Sequence, residues 1–236
     1  MTAFLDFPFE ELSARVVVTT RLAGDLRPTS DGAAERQQAV VPGPPWRWAN
    51  QVHGPTVLPA VPATPATPAT RHPVRDGDAL VGRAVDRVAM FAADCVLLGL
   101  LSPEGVVAAV HAGWQGLDAG VIEETAGAMR AAGASDIRGV RGPGVGPECY
   151  EFGLDGLDRL ASRYGEGVRS ETRWGTPALD LVAGVRIACE RAAISLEHEV
   201  DGCTACEQTA DGSWRWFSHR ARRDAGRHAL VVVPLR

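Results

Sequence analysis

The sequence predicts a mixed α/β fold, layered helices and strands in a single domain spanning residues 1–236. Three observations carry that reading. Short aliphatic or β-branched runs alternate with segments of helical period, without the even spacing of a doubly wound parallel sheet. The chain is long enough to bury a sizeable core, and its 45% apolar and 22% charged content is that of an ordinary globular protein. The most apolar stretch, residues 88–116, reads as two buried strands joined by a turn at Ser102-Pro103-Glu104-Gly105.

Residues 15–20 (RVVVTT) are a β-branched run and a strand. Residues 21–45, rich in Gly, Pro and Ala, show no period and read as loop with one short helical turn. Asn50-Gln51-Val52-His53-Gly54 leads into a strand over 56–61. Residues 62–70 (PATPATPAT) are a low-complexity, extended tract. No independent core follows it, so it reads as an exposed loop within the domain. Asp76-Gly77-Asp78-Ala79-Leu80 is a turn entering a strand.

A helix is expected over 118–132, with Leu117, Val121, Thr125, Ala128 and Met129 near one face and Gly133 as its stop. A strand over 137–140 precedes the loop Arg141-Gly142-Pro143-Gly144-Val145-Gly146-Pro147. Another helix starts near Leu154 and carries Leu157, Leu160 and Tyr164. Thr176 and Pro177 read as the cap and first residue of the longest helix, 177–193, with Leu181, Val185 and Ala188 inward. A buried strand over 230–234 closes the chain.

Composition excludes several function classes. The net charge is -5 and no basic run is interleaved with aromatics, so nucleic acid is not the expected partner. The longest apolar stretch is broken by Asp94 and is too short to span a bilayer. The N-terminal residues lack the basic and apolar regions of a signal peptide, and an odd count of five cysteines argues for reduced thiols, so a cytoplasmic monomer is expected. All 24 basic residues are Arg, which removes Schiff-base and P-loop lysine chemistry.

Asp94, Cys95 and His111 interrupt core-like strands, where polar groups cost free energy unless paired or ligating. Two imidazoles and one thiolate, from His53, Cys95 and His111, form a three-ligand zinc set that leaves one position open. The same Cys and His also read as structural core groups, and sequence spacing does not choose between the two. Gly142-Pro143-Gly144-Val145-Gly146 lacks the spacing of a dinucleotide loop. Cys203-Thr204-Ala205-Cys206 has no second pair at zinc-finger spacing and reads as ordinary thiols in a loop. Arg220, Arg222, Arg223 and Arg227 read as a solvated face, with phosphate binding by one of them as the alternative. His72, His198 and His228 stand in polar context and are expected to be exposed.

Taken in order, Asn50-Gln51-Val52-His53-Gly54, Ala93-Asp94-Cys95, Ala109-Val110-His111-Ala112-Gly113-Trp114 and the 142–147 loop with Cys149-Tyr150-Glu151 resemble successive signatures of one family. Cys203-Thr204, Phe217-Ser218-His219-Arg220 and Gly226-Arg227 resemble its C-terminal signatures. It is the laccase-domain or polyphenol oxidase family, also described as purine nucleoside phosphorylases and peptidoglycan-editing factors. The resemblance implies an α/β domain of the kind shared with cytotoxic necrotizing factor toxins. It also implies a zinc held by His53, Cys95 and His111, copper being disfavoured because a multi-copper arrangement needs more than six histidines. The implied activity is phosphorolysis of adenosine, inosine and methylthioadenosine, with adenosine deamination as a second reaction. Cys95, His111 and Asp94 would be catalytic, Asp94 as orienter or proton carrier, and Gln51, Gln115 and Arg220 would bind the nucleoside or phosphate. Gln115 stands where the family commonly has a basic residue, and Glu148 where a Cys is common.

Two other classes use the same residues. One is a cysteine hydrolase or amidase editing peptidoglycan precursors, with Cys95 as nucleophile and His111 as base. The other is a zinc-containing binding protein with weakened catalysis.

Overall fold

Period-two alternation in the strands builds two sheets that share an apolar interface. The computed structural model describes residues 3–12, 14–60, 75–83 and 85–235; the tract over 62–70 and His72 lie outside them. In chain order the elements are β1 (Phe4–Phe9), β2 (Ala14–Thr19), α1 (Ala33–Val40), β3 (Val57–Pro59), β4 (Ala79–Arg83), β5 (Val88–Ala92), β6 (Val96–Leu101) and β7 (Val106–Ala112). There follow α2 (Trp114–Ala119), α3 (Val121–Ala131), β8 (Ile137–Arg141), α4 (Leu154–Tyr164), β9 (Arg169–Glu171) and β10 (Pro177–Leu179). The chain ends with α5 (Leu181–Arg191), β11 (Ile194–Glu199), α6 (His219–Arg222) and β12 (His228–Pro234). This is the mixed α/β architecture the sequence predicts.

One sheet is antiparallel, ordered β1-β2-β12-β5; the other is mixed, ordered β11-β8-β6-β7-β4-β3. Val16, Val18, Met90, Leu230 and Val232 of the first meet Leu97, Leu101, Val107 and Ala109 of the second in one buried cluster. The alternate residues Val96, Leu98, Leu100, Val106, Ala108 and Val110 face away, under α3, α4 and α5. Gly99 is required where the sheets approach, because a Cβ there would lie 2.7 Å from Val16. The outer face of the first sheet packs its Val17, Phe91 and Val231 against α1 and Trp46.

Several expectations are corrected. The apolar stretch 88–116 holds three strands rather than two. β5 belongs to one sheet and β6 to the other, and the chain crosses between them at Ala93-Asp94-Cys95. Asp94 takes a positive φ of 112° at this crossing. Residues 21–45 contain an eight-residue helix, α1. The helix expected over 118–132 is split at Gly120, whose φ of 89° ends α2 before α3 begins. Pro177 starts strand β10, paired with β9, and α5 begins only at Leu181. There Asp180 is the cap, its Oδ1 accepting the Ala183 N–H at 2.8 Å. The strands β1 and β11, read as no element in the sequence, lie at sheet edges. β11 is mostly exposed and its apolar pattern is weak, whereas Leu5, Phe7 and Phe9 of β1 alternate toward the core around Pro8, a residue tolerated in a strand at such an edge. His228 is fully buried at the start of β12 against Trp216, not exposed.

Candidate metal centre

The β6–β7 hairpin brings two of the candidate residues together. Its register pairs Leu97 with His111, so Cys95, just before β6, comes to the same sheet end as His111. In β7, Val106, Ala108 and Val110 face the helices, so Val107, Ala109 and His111 face the other way. His53 arrives on a loop residue with a positive φ of 62°, a conformation most side chains avoid. The ligand atoms of His53, Cys95 and His111 all lie within 4.8 Å of one another. The two imidazole rings meet edge to face at 4.8 Å. His111 is buried, Cys95 half-buried and His53 exposed, so the cluster opens to solvent on the His53 side.

A residue that the sequence reading passed over organises this cluster. Asp78, with no solvent exposure, places Oδ1 2.8 Å from His111 Nδ1. The same carboxylate accepts the backbone N–H groups of Val52 (3.2 Å), His53 (3.0 Å) and Gly54 (2.7 Å). One buried side chain thus positions both histidines. Holding a proton on Nδ1 leaves the Nε2 lone pair of His111 for the cluster. Burial works to raise the Asp78 carboxyl, but the His111 bond and these amides hold it below the usual carboxylate range. The available signal was the Asp-Gly-Asp turn before β4, which on its face predicts only a turn.

Burial disfavours a charged Cys95, yet the His111 charge and hydrogen bonds from His111 and His53 bring its thiol down to about 6. His111 moves oppositely: burial lowers it, while the Cys95 thiolate and Asp78 raise it to about 9. The metal-free cluster is therefore a thiolate–imidazolium pair near neutral pH. Gly113 completes the cradle. A Cβ there would lie 2.9 Å from both Cys95 Sγ and His53 Cδ2. The donor set of two imidazole nitrogens and one thiolate suits a zinc-class ion with one open position.

The cluster lies in a cleft of about 730 Å³, a size that suits a small organic ligand. Arg27, Arg220, Arg223 and Arg227 line it together with Trp48, Trp114 and Tyr150. Burial and the neighbouring Arg27 guanidinium lower the Arg227 pKa. The predicted Arg cluster thus divides: Arg220, Arg223 and Arg227 face the cleft, while Arg222 turns inward to Thr204, Ala205 and Trp216 carbonyls.

The other candidate residues line the same cleft. Asp94 has both carboxylate oxygens engaged, accepting from Thr204 Oγ1 at 2.8 Å and from the Arg220 N–H at 2.6 Å. It therefore anchors the 203–206 loop and the start of α6 to the cleft floor. Gln51 spans both backbone groups of Phe91, donating at 2.7 Å and accepting at 2.9 Å, and pins the His53 loop to β5. Gln115 is exposed on the first turn of α2. Arg220 donates to the Glu151 carbonyl at 2.6 Å and stacks over Tyr150.

This arrangement has relatives. The profile of the multi-copper polyphenol oxidoreductase laccase family matches residues 31–234. The chain belongs to that family. A relative named purine nucleoside phosphorylase from Streptomyces griseus is 37% identical over 188 residues, covering 78% of this chain and 72% of its own. One of that name from Mycobacterium tuberculosis is 36% identical over 199 residues, covering 81% and 73%. Among solved structures, a Neisseria meningitidis protein aligns with a TM-score of 0.78 at 25% identity over 99% of both chains. A hypothetical protein from Bacillus licheniformis shares the fold, with a TM-score of 0.82 at 21% identity over 99% of this chain and 97% of its own. The mixed α/β fold is therefore shared with these solved structures. Among the described residues, no helix is long and apolar enough to cross a membrane.

Proposed function

We propose that the protein is a zinc-dependent purine nucleoside phosphorylase that transfers the ribosyl group of adenosine, inosine or methylthioadenosine to inorganic phosphate. The observation that carries this reading is the convergence of His53, Cys95 and His111 in a cleft walled by Arg27, Arg220, Arg223 and Arg227. The names of the Streptomyces and Mycobacterium relatives support it.

His53, Cys95 and His111 would hold the metal, which when bound supplies a Lewis acid with an open position for an oxygen ligand. The chain's own residues supply binding and orientation. Asp78 keeps the proton on His111 Nδ1 and so aims Nε2 into the cluster. The guanidiniums of Arg223 and Arg227 bind phosphate through charge-assisted hydrogen bonds. Trp114 and Tyr150 offer aromatic faces to the purine. A phosphate oxygen bonds to the sugar C1′ as the glycosidic C–N bond breaks, and the bonding pair leaves with the base, which takes a proton. Water adding at adenine C6 in the same cleft, with the C6–N bond breaking and the amino group leaving as ammonia on taking a proton from that water, gives deamination as the second reaction.

Zinc is favoured over a multi-copper centre by the small supply of imidazoles, six in the chain. Among the described histidines outside the cluster, His198 is exposed against Phe7 and His228 is buried against Trp216, while His219 lines the cleft with its Nε2 3.1 Å from the Arg223 guanidinium and stands outside the three-ligand group.

The test pairs metal content with adenosine turnover, with and without phosphate. The expected result is about one zinc bound through these three ligands and phosphate-dependent adenine release, both lost in His53→Ala. A second reading is favoured by one observation: Cys95, His111 and Asp78 form a thiolate–imidazolium–carboxylate relay, the arrangement of a cysteine hydrolase or amidase. Activity that survives metal removal and is abolished by alkylation of Cys95 would select it. Zinc at the cluster without turnover of any nucleoside would select a binding protein.

A further inference from the structure

A second group of ligating side chains stands apart from the three-ligand cluster. Cys203-Thr204-Ala205-Cys206, read from sequence as ordinary thiols, is joined in space by Glu148 and Cys149 from the loop after β8. One ligand atom from each of Glu148, Cys149, Cys203 and Cys206 lies within 4.8 Å of the others. We propose that Cys149, Cys203, Cys206 and Glu148 form a second, structural metal site for a thiophilic divalent cation of the zinc class.

The local backbone builds the site from two segments. The N–H groups of Cys206 (3.3 Å) and Glu207 (3.0 Å) both donate to the Cys203 carbonyl, closing a tight turn around the CxxC pair. Thr204 N–H donates to the Gly144 carbonyl at 3.0 Å, and Gly146 N–H donates to Cys203 Sγ at 3.1 Å, which binds that turn to the 142–149 loop. Gly146 also makes room for the fourth ligand. A Cβ there would lie 2.3 Å from the Glu148 carboxylate, which folds back over residue 146 toward the Cys206 thiol at 3.4 Å.

The chemistry of the donors selects the ion. Thiolates are soft ligands that favour zinc over magnesium or calcium, and a set with no position left open is the structural pattern. Gathering three thiolates and a carboxylate costs free energy without a cation to draw them together. The Arg173 guanidinium donates to Cys149 Sγ and offsets part of the excess negative charge that the filled site carries. Cys149 and Cys206 are only half-buried, which leaves an entry path for the ion.

The site's place in the fold gives it a purpose. Thr204 donates to Asp94, and Val145 N–H donates to the Asp94 carbonyl at 2.9 Å, so both clamped segments rest on the residue beside Cys95. Tyr150, next to Cys149, lines the cleft. The metal would brace this wall of the cleft without touching substrate.

The test does not depend on the function of the first cluster. Full-length protein carrying His53→Ala and His111→Ala, purified with reductant, is expected to retain about one zinc per chain. Adding Cys206→Ser, which changes a half-buried thiol, should remove it, with the fold checked by circular dichroism. Cobalt added to the metal-stripped His53→Ala/His111→Ala protein should give intense thiolate-to-metal absorption that Cys149→Ser weakens. Zinc absent from the double variant and no such absorption with cobalt would overturn the proposal. So would a Cys203–Cys206 disulfide found under reducing purification. If Cys206→Ser fails to fold, the cobalt titration of the double variant decides alone.

Discussion

The carboxylate of Asp78 touches His111 Nδ1 at 2.8 Å while accepting the backbone N–H of His53 at 3.0 Å. One buried acid therefore spans two ligands that lie on separate segments of chain. Asp78→Asn keeps the shape but weakens both the orientation and the basicity of His111. Metal affinity should fall by about 10–100-fold, measured by competition with a chelator. Unchanged affinity would remove Asp78 from the site.

Gly113 separates Cys95 from His53 by having no side chain, since a Cβ would lie 2.9 Å from each. Gly113→Ala should push the ligands apart and cut metal affinity by roughly tenfold or more, at a stability cost of about 1–3 kcal/mol from overpacking. Metal analysis beside a denaturant titration checks both parts. A variant that binds metal normally would contradict the cradle described above.

Metal-stripped protein should display the low thiol pKa of Cys95 directly. With that pKa at about 6, most of the thiol is thiolate at pH 7, and alkylation should slow only as the pH falls through about 6. An ordinary cysteine would already have slowed below about 8.5. Peptide mapping of the iodoacetamide adduct across pH 5–9 reads the curve, and adding zinc should protect Cys95 at every pH.

His228 sits fully buried, neither ring nitrogen having a hydrogen-bond partner among the described residues, and burial followed by the nearby Arg227 charge lowers it to about 3. It folds as neutral imidazole but takes up a proton on unfolding below its ordinary value of 6.5. Its contribution is therefore full above about 6.5 and is lost as the pH falls toward 3. His228→Leu should be near neutral at pH 7 and stabilising at pH 4.5 by comparison with the parent, read from urea midpoints. Equal pH dependence in the two proteins would show that His228 does not control acid stability.

The sequence by itself determined several core strands. The apolar run up to His111 marks a buried strand, while which of its residues face the helices is shown only by the two clusters they join. The helix of Leu157, Leu160 and Tyr164 and the strand of Ile137 were legible because burial is written locally. The family signatures also singled out His53, Cys95 and His111, whose ligand atoms the fold gathers within 4.8 Å of one another.

Tertiary structure alone decided what depends on contacts between distant segments. That Asp94-Cys95 is a crossing between sheets, and not the middle of one strand, follows from which partners β5 and β6 find, β12 and β7. Pro177 looked like a helix start, but pairing of Ala178 with Ser170 captured it as a strand and left Asp180 to cap α5. Asp78 looked like one half of a turn, and Glu148 and Cys149 lie more than fifty residues before the CxxC they join. A ligand set is a coincidence of side-chain ends in space, and no local period encodes it. Register, sheet order and loop closure bring those ends together, and they are properties of the folded chain.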